Sequence, residues 1–362
     1  MNWPTSFLCP RCKSTMLADE GTHVRCDSCK RVYPILAGIV DFRDTDLDST
    51  AAFSFDADRV TASLLVKAYG LVATFNELYD VFCALREIRK NSLTLEGIDL
   101  EELIAKRQIQ PRQMTPDQIV HGYAIMEKIG HYLRSTARKM PPKRLALENG
   151  CGIGFFTEGI AKEFNHVTVL DFSLSYLVLA KKMAQERGFQ NVSFVCASVE
   201  RLPFQEGVFD FIHSNNVIEH VSNQRAMFHE AHRVLNYGGM LFVQSPNRFS
   251  AYIEPHFKLP LFGFIPKPLR RRIIWKRQQR PLEDISLRSL GEVRALAEER
   301  FGDDIHVAFV PRYMDKTVTG GTIRTLLTTA LKSRLLGPST DLVINKLLLG
   351  IMPYHVLLCF KR

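Results

Sequence analysis

The chain has no run of apolar residues approaching the roughly 20 that a membrane-spanning helix needs. Its start, Met1-Asn2-Trp3-Pro4, lacks the basic residues and apolar stretch of a secretory leader, which sets the expectation of a cytoplasmic protein. Internal repeats and low-complexity tracts are missing too, which argues against a solenoid or a disordered chain. Acids are in deficit: 47 lysines and arginines face 38 aspartates and glutamates, a formal net charge of +9. That surplus admits nucleic acid, an anionic membrane surface or a phosphorylated substrate as partner, and charge alone does not choose. What is present, 46% hydrophobic and 23% charged residues over 362 positions, suits one sizeable catalytic domain plus a smaller module.

The eight cysteines do not read as a disulfide framework in a long chain of a reducing compartment. Four of them form two C-x-x-C knuckles, Cys9-Pro10-Arg11-Cys12 and Cys26-Asp27-Ser28-Cys29, separated by thirteen residues. Two knuckles present four thiolates to one tetrahedral zinc, as in closed structural sites. A module this small buries too little apolar surface alone, so metal binding would supply the missing folding energy. The competing readings are four reduced cysteines without metal, or redox pairs; the matched spacing favours metal. Cys83, Cys151, Cys196 and Cys359 stand singly in apolar surroundings. The stretch from Tyr33-Pro34-Ile35 through Gly38-Ile39-Val40-Asp41-Phe42 resembles zinc ribbons of the Trm112-like methyltransferase-activator family. That resemblance implies a structural or docking element over residues 1–43, with no chemistry of its own.

Residues 44–58 are acidic and rich in Ser, Thr and Ala, and read as a linker. From 59 to 140 apolar positions recur at helical spacing, as in Leu64, Leu65, Ala68, Leu71 and Val72, which predicts a helical connector. Beyond residue 141 short apolar runs alternate with helical stretches, the pattern of a parallel sheet with crossover helices. Strands are expected at Arg144–Glu148, Val167–Asp171, Val192–Cys196, Phe209–His213 and Met240–Gln244, and a late hairpin should pair Ile305–Val310 with His355–Lys361.

The first of these strands ends in Glu148-Asn149-Gly150-Cys151-Gly152-Ile153-Gly154. Glycines at a strand-to-helix turn let the backbone pass close to a ligand. The second strand ends at Asp171, where an acid can accept hydrogen bonds from both ribose hydroxyls of a nucleoside cofactor. Glycine spacing alone would also admit a dinucleotide. The order of the later segments argues otherwise: Phe194 to Phe204, Phe209 to Val221, Arg233-Val234-Leu235-Asn236-Tyr237-Gly238-Gly239 and Ser245-Pro246-Asn247.

Together these resemble the class I S-adenosylmethionine-dependent methyltransferases of the small-molecule type, similar to ubiquinone-biosynthesis methyltransferases. The resemblance covers about Arg144 to Val310 and implies a Rossmann-like α/β fold with a seven-stranded sheet. It also implies that Glu148, Gly150, Gly152 and Gly154 surround the methionine part, that Asp171 holds the ribose, and that Phe172 lies beside the adenine. Ser198, with Val199 next to it, stands where the family usually has an acid for the adenine amino group. Asn215 and Asn216 would line the sulfonium and acceptor pocket. Cys151 reads as packing rather than as a nucleophile.

Glu219 and His220 follow the fourth strand, at the edge where such sheets place their active sites. Either could be a general base, or both could bind a divalent metal as in the similar ubiquinone O-methyltransferases. The plainer reading is that they cap the next helix. An insertion of about 248–285 reads as a lid. It carries Glu254-Pro255-His256-Phe257, with His256 a second candidate base, then an apolar proline-rich run, then Lys267 to Pro281 with seven basic residues and no acid. Such a pair suits an amphipathic, anionic acceptor or a peripheral membrane contact. A further insertion, about 312–352, could close the pocket, form a homodimer or rest on lipid.

The expected function is methylation of a small or lipid-linked metabolite at oxygen. The alternatives are an RNA methyltransferase and a non-catalytic cofactor-binding scaffold. Against nucleic acid, Ser214-Asn215-Asn216-Val217 lacks the [DN]-P-P-[YFW] signature of enzymes that methylate exocyclic base amines, and the ribbon lacks interleaved aromatic and basic residues for stacking bases.

Overall fold

The computed structural model describes residues 7–15, 17–19, 21–44, 46, 54–91, 95, 97–106, 125–135, 138–250, 253–254, 256–278, 285–308 and 354–362. The expected insertion at 312–352 lies outside these residues. The chain divides into two compact units. The first comprises 1–213, 229–240 and 361; the second comprises 214–228, 241–360 and 362.

The first unit opens with four short strands, β1 (Leu17–Asp19), β2 (His23–Cys26), β3 (Val32–Leu36) and β4 (Ile39–Asp41), each antiparallel to the next. Four helices follow: α1 (Phe55–Tyr69), α2 (Phe75–Asn91), α3 (Leu100–Lys106) and α4 (Ile125–Ser135). Then β5 (Leu145–Asn149), α5 (Thr157–Ala161), β6 (His166–Asp171), α6 (Leu174–Glu186) and β7 (Val192–Cys196) alternate, and β8 (Phe209–Asn215) begins. Strand order in this unit is β1-β2-β3-β4-β7-β6-β5-β8. The β5, β6 and β7 strands are parallel. From its second residue β6 is buried throughout, as expected of a parallel strand covered on both faces.

The expectation of seven sheet strands with a separate ribbon is corrected here. Eleven strands occur among the described residues, and β4 pairs in parallel with β7, Val40 against Val195 and Asp41 against Cys196. The ribbon therefore extends the sheet rather than standing beside it. Aromatic packing explains why: the Phe42 ring lies 4.8 Å from Phe7 and 5.1 Å from Tyr33, and Phe7 also meets Phe204 at 6.0 Å. Each such ring, once buried, contributes about 1.5–3 kcal/mol. At the two ends of the segment read as a linker, Asp44 and Asp58 are buried. Asp44 pairs with Arg31 at 2.6 Å.

Helix α1 starts at Ser54, whose hydroxyl accepts from the Ala57 amide, and buries Ala62, Leu65 and Ala68. Helices α1 and α2 pack against α6; the Phe82 ring meets Tyr176 edge-on at 5.6 Å. The unit also takes the second half of α7 (Gln224–Val234) and the start of β9 (Leu235–Pro246).

The second unit holds the remainder of β8, α7 and β9, then α8 (Lys267–Gln278), α9 (Leu290–Phe301), β10 (Ile305–Ala308) and β11 (Tyr354–Phe360). Here β11 lies between β9 and β10, antiparallel to β10. Helix α9 begins with a full capping box, Ser289 and Glu292 satisfying each other's backbone amides, a device that fixes a helix start. Phe257, Leu259, Phe262, Ile274, Ile285 and Leu287 form a small apolar cluster that anchors the loop after β9 to α8. Among the described residues no helix is long and apolar enough to cross a membrane.

Candidate active site

In the first unit the register of β5, β6 and β7 brings Asn149, Asp171 and Cys196 to one edge of the sheet. The chain leaves β5 by turning over the end of β6: the Gly150 and Cys151 amides both donate to the Leu170 carbonyl, at 2.8 and 3.0 Å. Two glycines in this turn have distinct jobs. Gly154 (φ +92°) faces Ala180 of α6, and a Cβ there would come within 3.1 Å of the Ala180 Cβ, so it permits close loop–helix packing. Gly152 (φ +54°) has nothing within 4 Å of where its Cβ would be, leaving an open cradle. Cys151 is buried, and its thiol, pushed well up by burial, donates to the Gly152 carbonyl.

Glu148 is 1% exposed; one oxygen accepts from the Thr157 hydroxyl at 2.6 Å and the other has no hydrogen-bond partner. Burial pushes its carboxyl up to about 8, against the pull of the Thr157 hydroxyl. Asn149 is equally buried, and neither its amide nitrogen nor its oxygen has a partner. Buried polar atoms without partners cost about 1–3 kcal/mol each, so such a group in a native fold marks where a polar ligand belongs. Asp171 accepts the Gly152 amide on one oxygen and the Ser173 amide on the other, both at 2.8 Å. The Phe172 amide faces the same carboxylate. Burial raises this acid to about 6, while those amides oppose the rise.

Phe172 is half-buried and packs edge-on against Phe55 at 5.5 Å. Ser198 is 9% exposed and accepts the Glu200 amide at 3.2 Å; Val199 is similarly buried.

In the second unit Asn215 is half-buried with its side-chain oxygen unpartnered, and Asn216 adopts a left-handed backbone (φ 57°). Glu219, His220 and His256 come together: the carboxylate and ring nitrogens they offer lie within 4.8 Å of one another. Glu219 is 1% exposed and His220 is exposed. The Glu219 carboxyl, raised to about 7 by burial, has one oxygen 3.4 Å from the Ser245 hydroxyl and the other 3.9 Å from His256 Nε2. The opposite ring nitrogen, His256 Nδ1, sits 2.6 Å from Glu254 Oε1. This trio could accept a proton or hold a divalent cation.

The four knuckle cysteines also converge, with Cys9 Sγ 3.6 Å from Cys29 Sγ and Cys12 Sγ 3.5 Å from Cys26 Sγ. The knuckles match in backbone too. The Cys9 and Cys26 amides reach the Ser14 and Arg31 carbonyls, both at 2.9 Å, and the residues after each second cysteine, Lys13 and Lys30, are left-handed at φ 59° and 61°. Non-glycine residues accept that conformation only where the surroundings impose it.

Three residues are not flagged by the sequence patterns: Glu254 as the partner of His256, Asn149 as a buried orphan, and Arg43, which reaches the Phe172 carbonyl at 3.0 Å. Asn149 adjoins Glu148 and could have been flagged by position. No local signal points to the other two.

Residues 147–243 match the methyltransferase-domain family. This stretch is similar to methyltransferase domains, and O-methyltransferases are among the relatives that match it. A malonyl-[acyl-carrier protein] O-methyltransferase of Legionella pneumophila is 30% identical over 119 residues, 32% of this chain and 42% of that protein. A ubiquinone biosynthesis O-methyltransferase of Coxiella burnetii is 33% identical over 108 residues, 30% of this chain and 46% of that protein. The chain thus spans less than half the length of these curated relatives. Among solved structures, a phosphoethanolamine N-methyltransferase 2 of Haemonchus contortus aligns with TM-score 0.43 at 16% identity, covering 69% of this chain and 58% of that one.

Proposed function

We propose that this protein is an S-adenosylmethionine-dependent O-methyltransferase for a small or lipid-linked acceptor, with a structural zinc in its N-terminal ribbon. The observation that carries the reading is the set of unpartnered buried atoms on Glu148 and Asn149 beside the open cradle at Gly152. These groups fit the polar and cationic methionine end of the cofactor. Asp171, oriented by the Gly152 and Ser173 amides at the end of β6, fits the ribose hydroxyls, and Phe172 and Ser198 fit the adenine side.

The cofactor, when bound, supplies an already activated sulfonium methyl group, so the protein's task is alignment and exclusion of water. His256 is the preferred base. Glu254 accepts Nδ1–H and thereby fixes the tautomer, leaving Nε2 to take the proton of an acceptor hydroxyl. Glu219 stabilises the cation that forms, and His220 completes the group.

The exposed apolar residues Leu261, Phe264, Leu269 and Trp275 accompany the basic residues of α8. They support an acceptor with an apolar body and a negative group. Zinc fits the four cysteines because sulfurs at about 2.3 Å from one tetrahedral ion stand roughly 3.8 Å apart.

Calorimetry with S-adenosylhomocysteine tests the core of the reading. Wild type should bind it, and Asp171→Asn should weaken binding roughly tenfold, the equivalent of about 1.4 kcal/mol. Absence of binding by the wild type removes the proposal.

A further inference from the structure

The N-terminal strands do more than gather four cysteines. The last of them, β4, lies along β7, and the Phe42 amide donates to the Cys196 carbonyl at 2.7 Å. The next residue, Arg43, has a fully buried side chain. Its Nε and Nη2 bind the two oxygens of Asp41 at 2.7 Å each, and Nη1 donates to Asp58 at 2.7 Å and to the Phe172 carbonyl at 3.0 Å.

Asp58, from α1, then governs the start of α6. Its carboxylate accepts the Leu174 amide at 2.8 Å, the Ser175 amide at 3.3 Å, and the Ser173 and Ser175 hydroxyls at 2.9 and 2.6 Å. A carboxylate over the first turn of a helix satisfies amides that would otherwise lack acceptors. The residues so fixed, Phe172 to Ser175, directly follow Asp171, and the Ser173 amide is among those that orient the Asp171 carboxylate.

We infer that Arg43 and Asp58 are positioning residues for the nucleoside half of the cofactor site, so that the N-terminal ribbon is a structural part of that site. The inference rests on the proposed cofactor site. One guanidinium spans four acceptor oxygens on three residues, and its planar fork does what a lysine ammonium cannot. Loss of the fork takes the guanidinium away from the Phe172 carbonyl, which keeps the Cys196 thiol at 3.6 Å, and leaves Asp58 bound from the helix side. The backbone that aims Asp171 and Phe172 then loses its outer support.

The test compares Arg43→Lys with Arg233→Lys in the full-length protein. Arg233 is a fair control: it binds Glu230 and the Phe204 and Leu202 carbonyls and bonds none of the residues from Asp171 to Ser175. Both variants should melt below wild type. Arg43→Lys should in addition weaken S-adenosylhomocysteine binding roughly tenfold or more, raising the cofactor KM while the acceptor KM stays constant. Asp58→Asn, which keeps one acceptor oxygen, should fall between Arg43→Lys and wild type. The inference fails if Arg43→Lys binds S-adenosylhomocysteine like wild type, or loses no more affinity than Arg233→Lys. No binding by wild type itself would instead remove the transferase reading on which it stands.

Discussion

His256 Nδ1 lies 2.6 Å from Glu254 Oε1, while Nε2 of the same ring is 3.9 Å from Glu219. A carboxylate on one nitrogen fixes which nitrogen carries the proton and leaves the other as acceptor. Glu254 is itself tied down, accepting the Phe257 amide at 2.6 Å. The ring is therefore oriented before any substrate arrives.

From this pair we expect His256→Ala to lower turnover by roughly 10²–10⁴-fold, the range of general-base catalysis. Glu254→Gln should lower it less, because a ring with the wrong tautomer still occupies the site. Affinity for S-adenosylhomocysteine should stay constant in both, and turnover should not depend on added magnesium. A strict magnesium requirement would assign Glu219, His220 and His256 to a cation.

Glu148 gives a pH-dependence of stability. Its carboxyl is raised by burial to about 8 in the fold, against about 4.3 in an unfolded chain. The neutral form is thus favoured by folding. Its contribution is complete below about pH 4 and fades as pH rises toward 8, by an amount on the order of a few kcal/mol. Without cofactor, Glu148→Gln should lose less stability than wild type between pH 5 and 8 in thermal melts. Parallel stability curves for the two proteins would show that Glu148 does not titrate in this window.

The ribbon should carry about one zinc per chain, measured by elemental analysis after purification without chelator. Replacing Cys9 or Cys26, both fully buried, with Ser should remove the metal. Because the knuckles and the β4–β7 pairing belong to one unit, stripping the metal should also lower the melting temperature of the sheet. A chelator-treated protein with unchanged melting would argue against a structural ion.

Helix α8 carries six basic residues and no acid. Arg270 stacks over the Phe262 ring at 4.6 Å and is partly buried, whereas Arg271, Arg272 and Lys276 are exposed, with Trp275 about one turn from the two arginines. Each basic residue near an anionic bilayer is worth about 1 kcal/mol. The triple variant Arg271→Gln/Arg272→Gln/Lys276→Gln should therefore lose binding to phosphatidylglycerol vesicles at low salt while keeping its cofactor affinity. If wild type ignores such vesicles, the helix instead faces solvent or the acceptor.

Local patterns made much of this protein legible from sequence. The two cysteine knuckles, the glycine turn after β5, Glu148 near the end of β5 and Asp171 at the end of β6 are short-range motifs, in which backbone conformation and residue type constrain each other over a few positions. The strand at Val192–Cys196 is legible to the residue for the same reason: apolar runs bounded by turns announce themselves. Tertiary structure alone decided the rest. Nothing near Arg43 in the sequence announces Phe172, 129 positions away, and Asp58 reaches Ser173 across 115 positions. A linker-like acid became a buried helix cap because parallel pairing of β4 with β7 brought the ribbon to the sheet edge, where an unpaired charge would be too costly to bury. Glu254 likewise looks like an ordinary loop residue until the fold sets His256 between it and Glu219. Which chemical groups the protein carries and how each turn is shaped follow from neighbours in the chain, and so can be read residue by residue. Which groups share a site was decided only when distant segments packed, because burial selects partners by charge and hydrogen bonding rather than by position.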